Sequence, residues 1–274
     1  MPPIDRFREL HGSGCFVLPN PWDIGSAVFL ERLGFKALAT TSAGFAFSRG
    51  LPDSVRAVSR DLMLAHIRDI AQATSLPVNA DFQSGYAHDP EPLAENVKQC
   101  VAMGASGLSI EDATGDDASP LYDEARAVER IRAARGAIDD TRSGVVLTAR
   151  CEAWLVGHPD PFAVARDRLV AFAEAGADCL FAPGVREPRE IRAIVEAVAP
   201  KPVNVLVSSP SPTMNLASLA AMGVRRISVG AALARVAWGA FMRASEAIAR
   251  TGTFDALDGA AGFEELNAIF EERT

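Results

Sequence analysis

The sequence predicts an α/β fold of the (β/α)8, or TIM barrel, type with extra C-terminal helices, and three observations carry that prediction. Helix-length amphipathic segments alternate with short apolar runs along the chain, the runs number eight, and several are entered through the same glycine turn. Strict alternation implies a parallel sheet, whose strands, covered on both faces, read as near-continuous apolar stretches. Eight such units close into a barrel more naturally than they stay open. An open doubly wound sheet would need a glycine fingerprint after its first strand, where this chain reads Pro19-Asn20-Pro21-Trp22-Asp23.

The elements follow in order. Phe16 to Leu18 is an apolar run stopped by Pro19. Ala37 to Thr40 is entered through Leu33-Gly34-Phe35, where glycine supplies the left-handed cap that ends a helix and returns the chain to the sheet. Leu62, Ala65, His66 and Ile70 then fall at helical spacings of three and four, before Val78 to Ala80. Met103-Gly104-Ala105 introduces Leu108 to Ile110, and Val145 to Ala149 follows. Phe162, Ala165, Leu169, Phe172 and Ala173 mark another amphipathic helix, and Ala175-Gly176-Ala177-Asp178 leads into Leu180 to Ala182. Val203 to Val207 is the seventh run, and Met222-Gly223-Val224 precedes the eighth, Ile227 to Val229. Residues 231–274 read as a helical extension: a long Ala-rich helix, a Gly-punctuated stretch from Asp255 to Gly262, and a short helix from Phe263. A tail of this kind packs on its own barrel or on a neighbouring subunit. With no linker elsewhere, residues 1–274 are expected to form one domain.

Composition limits the partners. The formal net charge is -8, and no basic run exceeds the Arg225-Arg226 pair, which argues against nucleic acid and against anionic membranes. No apolar run approaches the ~20 residues that span a bilayer. Cys15, Cys100, Cys151 and Cys179 form no CxxC pair, and Met1 to Gly14 contains no apolar signal core, so a cytoplasmic location is expected. On so acidic a protein, an anionic substrate needs a local cation.

In a barrel of this type the active site lies at the C-terminal ends of the strands. Polar residues at those ends are Asn20, Trp22 and Asp23; Thr41, Ser42, Ala43 and, further along, Asp53; Asn79 and Asp81; Glu111 and Asp112; Arg150 and Glu152; Asn204; and Ser228. Asp53, Asp81, Glu111 and Asp112 would crowd several carboxylates onto one rim, which a hard divalent cation resolves. Oxygen ligands suit Mg2+ or Mn2+, and His11, His66, His88 and His158 lack the spacing of a zinc site. Arg150 closes an apolar strand and requires an anionic partner, either a substrate carboxylate or Glu152 or Glu111. Asn204 and Ser228 either hold substrate or satisfy each other. Trp22 and Phe82 read as wall. Cys151, turned away from Arg150 by strand alternation, reads as a buried structural thiol.

These residues resemble the isocitrate lyase / phosphoenolpyruvate mutase superfamily over about Leu18 to Ala249. The resemblance is carried by Asn20-Pro21-Trp22-Asp23, Thr41-Ser42-Ala43 with Gly50-Leu51-Pro52-Asp53, Ala80-Asp81 with Gly85-Tyr86, Gly107 to Asp112, Ala149-Arg150 and Ala175-Gly176-Ala177-Asp178. It implies a Mg2+-dependent lyase that makes or breaks a bond beside a 2-oxo carboxylate through a metal-stabilised enolate. By position, Asp53, Asp81 and Glu111 resemble the metal and metal-water residues, and Thr41, Ser42, Ala43 and Arg150 the carboxylate clamp. The family also implies a homo-oligomer, a dimer or tetramer. Two departures stand out. Asn79-Ala80-Asp81 replaces an Asp-x-Asp pair, and the segment Ala113 to Tyr122 contains no Cys, Lys or His where isocitrate and methylisocitrate lyases carry their acid/base Cys.

A decarboxylase or C-C lyase acting on a small 2-oxo or 2-hydroxy (di)carboxylate is therefore expected, with Arg150, Glu111 and Tyr122 as catalytic residues. Trp22, Thr41, Ser42, Ala43, Arg150, Glu152 and Asn204 would bind substrate. Three alternatives stand beside this: a phosphonopyruvate-type C-P bond enzyme, a barrel with a phosphate site at Ser228-Val229-Gly230, and a non-catalytic barrel that binds 2-oxo acids.

Overall fold

Eight parallel strands make one sheet, and a computed structural model describes residues 1–54 and 56–271 of it and its surroundings. Helix α1 (Pro3–Gly12) leads into β1 (Phe16–Leu18) and α2 (Ile24–Arg32). Next come β2 (Leu38–Ala39), the short α3 (Ser42–Ser48), α4 (Arg60–Ala73), β3 (Val78–Asp81) and α5 (Pro90–Ala102). The central part is β4 (Gly107–Glu111), α6 (Glu124–Thr141), β5 (Val146–Arg150), α7 (Pro161–Glu174), β6 (Cys179–Phe181) and α8 (Pro188–Val198). Then follow β7 (Val203–Leu206), α9 (Leu216–Ala221), β8 (Arg226–Ser228), α10 (Ala232–Thr251), a 3-10 turn at Asp255–Leu257 and α11 (Phe263–Glu271).

Local chemistry sets these boundaries. Asp23, Thr41, Ser59, Asp123, Asp160 and Asn215 each cap a helix, their side chains accepting from the backbone N–H three residues on. Proline opens α5, α7 and α8, where its missing N–H costs nothing. At the repeated turn, Gly34, Gly104, Gly176 and Gly223 have φ between 83° and 103°, a region that other residues rarely enter.

The ladder runs β1-β8-β7-β6-β5-β4-β3-β2, so every joint of the ring is a strand ladder except that between β1 and β2. Across that seam, Ala39 N donates to Pro19 O at 3.0 Å. Asn20 adds a brace: its Nδ2 donates to Thr40 O at 2.9 Å, and its Oδ1 accepts from Val229 N at 3.0 Å and Gly230 N at 2.8 Å. The eight predicted strands are all present, with three displaced by one residue, β5 later (Val146–Arg150) and β6 and β8 earlier. β6 starts at Cys179 and β8 at Arg226, because Cys179 pairs with Thr148 and Arg226 with Asn204.

Side chains fill the barrel interior, as the fold requires. α1 stoppers the N-terminal end with the buried Phe7, against which the His11 ring stands edge-on at 4.6 Å. Gly107 makes room for that stopper. A Cβ there would come within 2.5 Å of Phe7 Cε1 and 2.8 Å of Asn79 Oδ1. Beyond the barrel, α11 returns to α2, where Arg32 Nη1 donates to Ala268 O at 2.8 Å. Of the twenty residues of α10, only Ala234 is buried. No described helix is long and apolar enough to cross a membrane.

Candidate active site

A cavity of about 290 Å3 opens at the C-terminal mouth of the strands, and Thr41, Ser42, Ala43, Asp53, Asp81, Arg150 and Asn204 all line it. Asp81, the last residue of β3, is fixed from three directions. Its Oδ2 accepts from both the backbone N and the Oγ of Ser42 at 2.9 Å, its backbone N donates to Thr40 Oγ1 at 2.9 Å, and its Oδ1 faces Arg150 Nη1 at 3.3 Å. Thr41 caps α3 by accepting from Gly44 N at 3.2 Å. The turn at 41–43 is thereby held by its own helix start and by Asp81.

Arg150 ends β5 and gathers three carboxylates. Its Nε and Nη2 grip Glu152, the latter at 3.0 Å, while Nη1 lies 3.3 Å from Asp81 and 3.3 Å from Glu111. Burial opposes the guanidinium charge, but Glu152, Glu111 and Asp81 together keep it protonated. Burial also pushes Glu111 up to about 8, with Arg150 pulling down and Glu152 and Asp81 adding to the rise. Glu152 is raised by burial as well. Fully ionised, three carboxylates around one guanidinium leave two uncompensated negative charges, which call for protons or a second cation.

Two expectations about the acids are corrected. Asp112 does not join the rim: its Oδ2 accepts from Arg168 Nη1 at 2.7 Å and its Oδ1 from Glu152 N at 2.8 Å, because alternation turns it away from Glu111. The charge that balances the remaining acids is first of all Arg150. Glu111 and Glu152 are set back behind Arg150 and do not line the cavity. Asp53 stands at the edge of the cavity, its pKa raised by burial of the carboxyl and by Asp81, against Arg150.

The oxygens available to a metal ion are therefore those of Asp81, Asp53 and Asn79. Among the described residues, no three His, Cys, Asp or Glu side chains meet closely enough to cage an ion. Asn79 Oδ1 is buried on the cavity wall without a hydrogen-bond partner, an acceptor left over that a cation or its water would satisfy. Such a donor set, oxygen only and sparse, fits a small hard ion that keeps several waters.

Other expected residues lie elsewhere. Trp22 faces an apolar groove beside Trp238 and Phe241. Tyr122 lines a second cavity, its hydroxyl 2.6 Å from His88 Nδ1 and its ring 4.3 Å beneath the Arg130 guanidinium. Arg130 in turn donates to the backbone carbonyls of Ser84, Ala87 and His88, which ties the loop after β3 to the loop after β4. Asn204 Nδ2 donates to Ser228 Oγ at 2.9 Å, so these two do satisfy each other. The amides of Val229 and Gly230 are taken by Asn20, which leaves no free phosphate cradle there. Two cavity cations, Arg226 and Arg235, escaped the sequence reading. Arg226 could have been found, since it lies two residues before Ser228 on one strand and so shares its face.

Comparison with known proteins places this site in context. The model of the phosphoenolpyruvate phosphomutase family matches residues 7–249. An uncharacterised protein of Mycobacterium tuberculosis (strain ATCC 25618 / H37Rv) is 35% identical over 226 residues, covering 82% of this chain and 81% of that one. The oxaloacetate decarboxylase of Rhodopseudomonas palustris (strain BisB5) is 29% identical over 266 residues, 95% and 89% of the two chains. A solved structure of a candidate lyase/mutase from Burkholderia cenocepacia J2315 superposes with a TM-score of 0.93 at 46% identity, covering 98% and 95%. Further matches are named 2-methylisocitrate lyase and 2,3-dimethylmalate lyase.

Proposed function

The chain belongs to the phosphoenolpyruvate phosphomutase family and is an enzyme of its lyase branch, and from that premise we propose that it is a Mg2+-dependent decarboxylase or C-C lyase acting on a small 2-oxo or 2-hydroxy (di)carboxylate. The observation that carries the reading is the pairing of Asp81 with Ser42 and Arg150 in one cavity. It puts a carboxylate suited to a cation beside a turn and a guanidinium suited to an anion. Relatives named for oxaloacetate and 2-methylisocitrate support the substrate class.

Asp81, with Asp53 and Asn79 through water, would hold Mg2+ (Mn2+ being the nearest substitute), which supplies a Lewis acid for the oxygens of a 2-oxo carboxylate. Ser42 keeps Asp81 aimed into the cavity. Arg150, steadied by Glu152 and Glu111, presents Nη1 to developing negative charge, and its partners prevent it from swinging away. Thr41, Ser42 and Ala43 form the turn against which the substrate carboxylate rests. When the bond from C3 to the departing carboxylate breaks, CO2 leaves, the electron pair stays on the 2-oxo acid as an enolate, and C3 then takes a proton. Among the described residues, the cavity wall offers no Cys, Lys or His to deliver that proton, while Tyr122 and His88 belong to the adjoining cavity. Solvent at the open mouth is the simplest donor, and decarboxylation is the reaction that asks least of the loop.

The apolar side chains that α10 leaves exposed, among them Val236, Phe241 and Met242, support assembly into a homo-oligomer. The deciding experiment incubates the protein with Mg2+ and oxaloacetate or alkylmalates and measures pyruvate release above the metal-only background. Calorimetry with oxalate, a planar mimic of the enolate, runs in parallel. Asp81→Ala should abolish both turnover and Mg2+-dependent oxalate binding. Unchanged oxalate binding in that variant would remove Asp81 from the metal site.

A further inference from the structure

The cavity is electrically lopsided. Asp53 and Asp81 stand on the β2–β3 side, whereas the β8–α10 side carries Arg226 and Arg235. Arg226 is only 2% exposed, and among the described residues no carboxylate faces it. Its Nε donates to Asn204 Oδ1 at 3.0 Å and its Nη2 to Thr148 Oγ1 at 3.0 Å, while Nη1 lies 3.3 Å from His11 Nε2. His11 Nδ1 sits 2.7 Å from Phe7 O and so carries the ring proton, which leaves Nε2 as an acceptor for Arg226. Burial first, and Arg226 second, keep that imidazole neutral. Every partner of this buried cation is thus uncharged.

A guanidinium sealed among neutral acceptors at the floor of a cavity is costly unless an anion completes it. Three of its five N–H groups are engaged by the protein, and the side chain contributes to the cavity surface. Arg150 cannot play this part for a second anionic group, because three carboxylates already surround it. Resting on the reading of the site as one for 2-oxo or 2-hydroxy acids, we propose that Arg226 receives the distal carboxylate of a dicarboxylate substrate. Arg235, at the mouth on α10, meets the same end of the molecule. The acidic wall then reads the head of the substrate and the arginine wall its tail, so the site selects dianions over monoanions. Arg226 is accordingly a specificity residue.

The test uses a matched pair, (S)-malate and (S)-lactate, which share the 2-hydroxy carboxylate head and differ by one carboxylate. Dissociation constants are measured by calorimetry with and without Mg2+, and oxalate is the control for the head site. The wild-type protein should bind malate at least about tenfold tighter than lactate, as a charge-assisted contact of this kind provides. Arg226→Gln should bring the ratio close to one while leaving lactate and oxalate nearly unaltered. If Arg226 serves only to pack the barrel, Arg226→Gln weakens all ligands alike and the ratio stays, which overturns the proposal. Arg226→Lys, which retains the charge without the planar fork, guards against a failure to fold and should cut the malate preference several-fold; an unaltered ratio there overturns the proposal too. Equal binding of malate and lactate by the wild type sinks the inference while oxalate binding keeps the head-site reading. Loss of oxalate binding sinks both.

Discussion

His66 shows how a single buried side chain ties this fold to pH. Its ring stacks on Phe45 with centroids 3.9 Å apart, and its Nε2 is buried without a partner. Burial lowers its pKa to about 4, and burial with Arg226 lowers that of His11 to about 3. In the unfolded chain both titrate near the ordinary value of 6.5. Below pH 6.5 the unfolded state therefore takes up protons that the native state refuses, and stability falls as pH drops. The slope is about 1.4 kcal/mol per pH unit for each histidine, fading once the pH reaches its folded value. Denaturant melts between pH 7 and 4.5 should show this loss, and His66→Gln should make the profile shallower; an identical profile would clear His66 of the effect. At this scale, sequence legibility was uneven. Asp81, Ser42 and Arg150 could be placed because each ends a strand or follows one. Asp112 could have been separated from Glu111 by the same alternation that turned Cys151 away from Arg150, but its partner Arg168, 56 residues away, has no signal in the sequence.

At the scale of elements, the stopper helix α1 and strand β4 depend on one missing side chain. Gly107→Ala would drive a methyl into Phe7 and toward Asn79 Oδ1, and such overpacking typically costs about 1–3 kcal/mol. Phe7→Ala alone opens a cavity and also destabilises. Together the two changes should cost less than their sum, as a double-mutant cycle by urea unfolding would show; strict additivity would mean that the clash is relieved elsewhere. The repeated glycine turns were the most readable elements, since Gly34, Gly104, Gly176 and Gly223 act through neighbours in sequence, whereas the caps Asp23 and Asn215 came from the structure. Strand ends were less readable. Ladder partners such as Arg226 and Asn204 meet across 22 positions, and only that pairing decides where a short strand begins.

On the scale of the whole molecule, α10 is a twenty-residue helix with one buried residue, and Val236, Trp238, Phe241 and Met242 stay exposed along it. Exposed apolar surface of this extent marks an association surface. Light scattering should find an oligomer, and Phe241→Glu combined with Val236→Glu should shift it toward the monomer without unfolding the barrel; a monomeric wild type would refute the expectation. The ring itself has an unequal circumference. Seven joints are laddered, but the eighth is latched by an asparagine amide and one backbone contact. A hoop with one buckle loosens at the buckle first, so the amide protons of Ala39, Val229 and Gly230 should trade with deuterated water sooner than those of β4 and β5. The buckle adjoins the mouth of the cavity, so its loosening would widen the gate through which reactants pass while the opposite wall of the barrel stays rigid.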